Sequence, residues 1–134
     1  MYLVDTNIWL ERLLGQTKAD EVGDFLNHVA SGELYITDFA FHSICVILTR
    51  LKQEATLVNF VQDVFVDGAV DLVSVLPQET QSVIDVKDKF GLDFDDAYQY
   101  ATAEKYNLVI VSFDGDFDRT IRGRKTPAEI LAAT

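Results

Sequence analysis

Four short apolar runs constrain this chain most: Met1–Val4, Leu34–Ile36, Val70–Leu76 and Leu108–Val111. Three are apolar at every position rather than at alternate ones, the pattern of strands buried on both faces. The stretches between them carry helical spacing. Ile8, Leu10, Leu13 and Leu14 predict a short helix stopped near Gly15. Val22, Phe25, Leu26 and Val29 predict another over Ala19–Ala30, ended by Gly32. Thr37 or Asp38 can cap a third that runs through Ile44, Leu48 and Leu51, and Thr56 a fourth reaching about Phe65. Pro77–Phe90, stopped by Gly91, and Asp93–Tyr106 supply two more. A turn around Asp116–Arg119 and a helix from Pro127 complete the chain. Buried strands alternating with helices predict an α/β fold with a parallel sheet covered on both faces. The 134 residues suit one domain, taken as 1–134.

A formal net charge of −11 argues against a protein that coats nucleic acid, because such coating needs Lys and Arg to displace counterions from phosphates. It leaves room for an enzyme that grips nucleic acid locally. Two basic groups stand out, Arg50 with Lys52 and Arg119, Arg122, Arg124 with Lys125; solvated surface is the ordinary role of such groups. Cys45 is the only cysteine, so no disulfide within the chain is possible. No apolar run reaches the roughly 20 residues that span a bilayer. With no membrane segment and no secretory pattern at the N-terminus, the expected location is the cytoplasm.

In open parallel sheets ligands bind beyond the carboxyl ends of the strands, and that rule singles out Asp5 and Asp114. Asp96 opens the helix just before the strand that leads to Asp114. Each acid also has an ordinary structural role. Asp5 can cap the following helix, Asp93, Asp95 and Asp96 can complement a helix dipole, and Asp114-Gly115-Asp116 can form a turn. Three carboxylates at one rim nevertheless repel one another unless a cation neutralises them. For an all-oxygen site Mg²⁺ or Mn²⁺ is the natural choice. Zinc has no support, since His28 and His42 lie on separate expected helices and Cys45 stands alone.

The segments Val4-Asp5-Thr6-Asn7, Phe94-Asp95-Asp96-Ala97-Tyr98-Gln99-Tyr100-Ala101-Thr102-Ala103 and Leu108-Val109-Ile110-Val111-Ser112-Phe113-Asp114-Gly115-Asp116-Phe117 together resemble the opening, the central acidic helix and the closing strand and loop of PIN domains. The resemblance covers residues 1 to about 120 and is nearest to the VapC-like toxins of toxin–antitoxin pairs. It implies a three-layer α/β/α fold around a mostly parallel sheet of four to five strands. It implies that Asp5, Asp96 and Asp114 bind metal, with Asp116 a nearby catalytic acid and Thr6, Asn7, Ser112 and Asp95 supporting them. It further implies Mg²⁺- or Mn²⁺-dependent hydrolysis of RNA, a small antitoxin partner and a homodimer. Trp9, Leu10, Leu13 and Phe60 are candidate exposed contacts for such a dimer, although core packing is the commoner fate of these residue types.

One departure stands out. The family usually carries a glutamate in the helix after the second strand, and here that position falls at Ser43, beside His42. Asp38, one turn earlier, is the nearest acid. Either the remaining acids suffice, or Asp38, His42 or Ser43 substitutes, or the domain is a weakened one that binds RNA or protein without cutting. A phospho-acceptor receiver domain would need an acidic pair after the first strand and a lysine after a late one; Asp5 is followed by Thr6, and no lysine directly follows Val111. A haloacid-dehalogenase-type phosphatase would need an acid where Asn7 stands.

Overall fold

The structure is a computed structural model that describes residues 1–134. Four parallel strands, β1 (Tyr2–Val4), β2 (Leu34–Thr37), β3 (Asp71–Val73) and β4 (Val109–Val111), lie in the order β3-β2-β1-β4. Seven helices connect and flank them: α1 (Thr6–Leu13), α2 (Ala19–His28), α3 (Asp38–Arg50), α4 (Glu54–Val61), α5 (Thr80–Phe90), α6 (Phe94–Tyr106) and α7 (Pro127–Ala132). The expected three-layer α/β/α architecture is therefore present.

Alternation along the strands divides the core in two. Val4, Leu34, Ile36 and Val111 point to one face, among Ile8, Trp9, Phe25, Ile44 and Leu48 of α1, α2 and α3. Leu3 and Ile110 point to the other, among Val83 and Val86 of α5 and Ala97, Tyr100 and Ala101 of α6. A one-residue slip of any central strand would exchange the two sets, which fixes the register. The free side of β4 is closed by Lys125, whose N–H donates to the Ile110 carbonyl (2.8 Å) and whose carbonyl accepts from Ser112 N–H (3.0 Å). Covering an edge in this way blocks pairing with foreign strands.

Three element boundaries differ from expectation. β3 occupies only Asp71–Val73 of the apolar run, and Val75 N–H donates to the Tyr98 hydroxyl (3.0 Å) rather than to a strand. α4 begins at Glu54, two residues before Thr56. Lys52 takes a left-handed conformation (φ 58°) that ends the preceding helix abruptly, so the next can restart at once, and the Thr56 hydroxyl bonds to Gln53 instead of capping. α2 stops at His28, before Gly32. Gly91 does stop α5, at φ 64°, where a Cβ would be strained.

Trp9 and Phe60 are not surface contacts. Both are buried, with rings 5.4 Å apart edge to face, in the core that α1 and α4 share with α3, which packs against both. Leu10 and Leu13 are half-buried against the same core. The Trp9 Nε1–H is the one buried side-chain polar atom without a partner. Trp9→Phe, which removes that N–H and keeps most of the ring volume, should leave the melting temperature within about 2 °C of wild type or above it. Trp9→Ala should cost about 3–5 kcal/mol. Urea unfolding of the two variants checks this, and equal losses would place the tryptophan's value in its N–H.

Candidate active site at the carboxyl edge of the sheet

β1 ends at Val4, and Asp5 follows as the N-cap of α1. Its N–H continues the ladder to the Val111 carbonyl (2.9 Å), which pins the residue to the top of the two central strands. The carboxylate is buried and surrounded by donors. Oδ1 accepts from Thr6 N–H (2.8 Å) and Gln99 Nε2 (3.0 Å); Oδ2 accepts from the Ser112 hydroxyl (2.7 Å) and Asn7 Nδ2 (3.4 Å). Burial, helped by the charge of Asp114, raises its pKa above the usual carboxylate value, and the bonds from Ser112, Gln99 and Thr6 offset only part of the rise.

The same donors organise the loop after β4. Ser112 Oγ accepts from Asn7 Nδ2 (3.1 Å) and from Asp114 N–H (2.9 Å), while Asn7 Oδ1 accepts from Phe113 N–H (3.1 Å). Asn7 and Ser112 thus tie the start of α1 to the loop that carries Asp114. Asp114 Oδ1 accepts from Asp116 N–H (2.9 Å), so the turn role read for these two acids is also real. Thr6 lines the cleft, and its backbone N–H serves Asp5.

Asp96 sits in the first turn of α6, half-buried, facing Asp114. Carboxylate oxygens of Asp96, Asp114 and Asp116 lie within 4.8 Å of one another. Asp5 is outside that tight group but lines the same cleft and repels both Asp96 and Asp114. Desolvation first, then the charge and proximity of Asp114, with Asp5 and Asp116 adding to it, push the Asp96 pKa up to about 7. Without a cation, and below about pH 7, this corner therefore holds a proton that the unfolded chain would release.

That shift has a definite sign. A carboxyl whose pKa rises on folding stabilises the fold at low pH, and the contribution disappears as pH climbs through the folded value. The metal-free protein should therefore lose melting temperature between pH 5 and pH 8, and Mg²⁺ should restore more of it at pH 8 than at pH 5. Differential scanning calorimetry with and without chelator checks this. A melting temperature that rises over that window without metal would contradict the strained carboxylate cluster.

A cleft of about 280 Å³ collects Asp5, Asp96 and Asp114 with Asp95, Gln99 and Ser43. Of the three residues offered in place of the usual glutamate, Ser43 lines this cleft; Asp38 and His42 are exposed and do not. Asp38 is engaged elsewhere, accepting from the Tyr98 hydroxyl (2.8 Å) and from Phe39 N–H (2.8 Å). Nor is the basic group near the C-terminus a free patch. Arg124 makes two 3.1 Å contacts with Asp118, Arg119 lies 3.3 Å from Asp116, and Arg122 bonds to Asn107 and the Leu108 carbonyl.

Gln99 lies within the acidic-helix segment, where the sequence assigned it no role, yet it touches the site directly. It donates to Asp5 Oδ1 and accepts from the Thr37 hydroxyl (2.7 Å), which in turn caps α3 through Ala40 N–H (2.9 Å). One buried amide so links β1, β2, α3 and α6. Its spacing of three from Asp96 on one helix face was the available signal.

The donor set suits a hard divalent cation: carboxylate oxygens only, converging from two loops and a helix. Octahedral ligands about 2.1 Å from Mg²⁺ stand about 3–4 Å apart, a spacing of the same order as the 4.8 Å bound on the Asp96, Asp114 and Asp116 oxygens.

Comparison with known proteins bears on these features. The family model for the PIN domain matches residues 2–123. No curated protein matches the chain. Among solved structures, a toxin–antitoxin complex from Klebsiella pneumoniae superimposes with a TM-score of 0.76 at 20% identity, covering 95% of this chain and 98% of that one. FitAcB from Neisseria gonorrhoeae gives 0.74 at 19% identity, with 96% and 99% covered. Mycobacterium tuberculosis VapC20, described as a sarcin–ricin loop-cleaving toxin, gives 0.74 at 17% identity, with 93% and 100% covered. At these identities the structural likeness speaks for the fold.

Proposed function

Because the chain belongs to the PIN-domain family, we propose that it is a Mg²⁺- or Mn²⁺-dependent endoribonuclease and the toxin of a toxin–antitoxin pair. The convergence of Asp96, Asp114 and Asp116 in front of a buried, donor-ringed Asp5 carries the reading. Asp5, Asp96 and Asp114 would hold the ion, with Asp116 beside them. A bound divalent cation lowers the pKa of coordinated water and stabilises charge on phosphate and leaving oxygens. The protein's own part is positional. Gln99, Ser112, Asn7 and Thr6 fix the Asp5 carboxylate against rotation, as groups behind metal ligands generally do. Asp95 and Asp116, both exposed, would accept a proton from an attacking water or orient it. The Thr6 and Ser43 hydroxyls line the cleft, where they can donate to a phosphate oxygen.

The solved toxin–antitoxin complex and the toxin that cleaves a sarcin–ricin loop support this choice of biology by their likeness of fold. An antitoxin segment bearing a basic side chain would complement the acidic cleft. Ser43 in the glutamate position favours a second reading, a catalytically weakened domain that binds RNA or protein.

Mn²⁺ titration and RNA cleavage separate the two. Binding should require loss of the Asp96 proton, so apparent Mn²⁺ affinity should rise about tenfold per pH unit below pH 7 and level off above it. Isothermal titration at pH 6, 7 and 8 reads this. Mn²⁺ binding without cleavage of single-stranded or looped RNA would support the weakened domain; absence of both would remove the metal-dependent nuclease reading.

A further inference from the structure

We propose that Phe39, Phe94 and Tyr98 form a stacking platform for an unpaired base of the RNA, with Phe94 as its exposed face; this rests on the nuclease reading. The three rings make a closed triangle, with centroids 5.3 Å (Phe39–Tyr98), 6.2 Å (Phe39–Phe94) and 6.3 Å (Phe94–Tyr98) apart. Phe94, the first residue of α6, is 42% exposed although it sits one residue before the acidic pair Asp95-Asp96. Phe39 joins the triangle to the chemistry, since it lines the carboxylate cleft with Asp95 and Asp96 and packs on both other rings.

The platform is anchored from behind. The Tyr98 hydroxyl donates to Asp38 and accepts from Val75 N–H, and Asp38 also accepts from Phe39 N–H. Asp38 therefore serves the rings rather than the cation. Burial first, and then the bond to the Asp38 carboxylate, push the Tyr98 pKa up to about 12, so the hydroxyl stays protonated and keeps this bond across the working pH range.

Charge argues for a base as the occupant. A protein of net charge −11, with Arg119 and Arg124 already paired to Asp116 and Asp118, has few free cations beside the cleft to grip a phosphate backbone. Ring stacking on a base supplies affinity without a cation, and it works for any base because each has a π-face. Bases inside a duplex have their faces occupied by neighbours, so the platform selects a single-stranded or splayed-out nucleotide next to the scissile phosphate.

The test uses a ten-nucleotide oligouridylate carrying one 2-aminopurine, which its weakly stacking neighbours leave bright and whose fluorescence falls on stacking against an aromatic ring. Binding is measured in Ca²⁺ and cleavage separately in Mn²⁺. Wild type and Phe94→Tyr should quench the probe equally. Phe94→Leu keeps apolar volume but no ring; it should lose most of the quench, bind about tenfold more weakly and raise KM with kcat nearly unchanged. Equal quenching and affinity for wild type and Phe94→Leu would overturn the platform, as would an unquenched wild type. Intact RNA in Mn²⁺ together with a ring-dependent quench would sink the nuclease reading while leaving the platform standing. A melting curve for each variant confirms that the exposed substitution has not disturbed the fold.

Discussion

Asp96→Asn should lower metal-dependent RNA cleavage by about 10²- to 10³-fold or more, the scale of losing one preorganised charge-stabilising group, and should at the same time stabilise the metal-free protein. Both effects have one origin. Asp96 faces Asp114, and its pKa is pushed up to about 7 because burial and neighbouring acids oppose its charge. Asparagine removes that charge and offers Asp114 an N–H donor in its place. At pH 8, where wild type must ionise the carboxyl, the variant should melt a few degrees higher in chelator, about 1 kcal/mol after allowance for solvent screening. At pH 5, where the wild-type carboxyl is already protonated, the difference should shrink. Added Mg²⁺ should stabilise wild type and not the variant. A variant that cuts as well as wild type, or melts lower at pH 8, would remove Asp96 from the cluster's chemistry.

Gln99→Leu should cost about 2–3 kcal/mol of stability and about 10- to 100-fold in metal affinity or activity, although Gln99 is not itself an acid. The amide is buried and uses both ends, donating to Asp5 and accepting from Thr37. Leucine leaves the Thr37 hydroxyl without its acceptor and takes from Asp5 a donor that favours the carboxylate form. Asp5 would then be harder to ionise and freer to turn. Unlike Asp96→Asn, this change should destabilise the protein at every pH and weaken Mn²⁺ binding by a factor that excess metal partly recovers. Chemical denaturation together with Mn²⁺ titration reads both effects; unchanged stability would show the bridge to be idle.

The strand order was not legible in the sequence, but the strands themselves were. Runs such as Leu108–Val111 announce burial on both faces, and burial on both faces implies helices above and below. The positions of Asp5, directly after β1, and Asp114, in the loop just past β4, followed from the same logic, because an acid so close to the end of a buried strand has few places to go. What the pattern could not give was pairing at a distance. Trp9 and Phe60 sit 51 positions apart, and nothing local says that their rings meet. Asp38 looked available as a ligand because helix spacing placed it one turn before His42; the bond from Tyr98, 60 residues away, commits it elsewhere. Asp116 joined Asp96 and Asp114 more tightly than Asp5 did for a similar reason. The turn held by Asp114 Oδ1 and Asp116 N–H brings Asp116 forward, while four donors hold Asp5 back.

Anomalous diffraction from a crystal of the wild-type protein soaked in Mn²⁺ addresses the cation directly. The predicted result is one strong peak in the cleft, bonded to Asp96 and Asp114 at about 2.0–2.3 Å, with Asp5 or Asp116 completing the protein ligands and the peak lost in Asp96→Asn. No peak at saturating Mn²⁺, or a peak that ignores these carboxylates, would contradict the account.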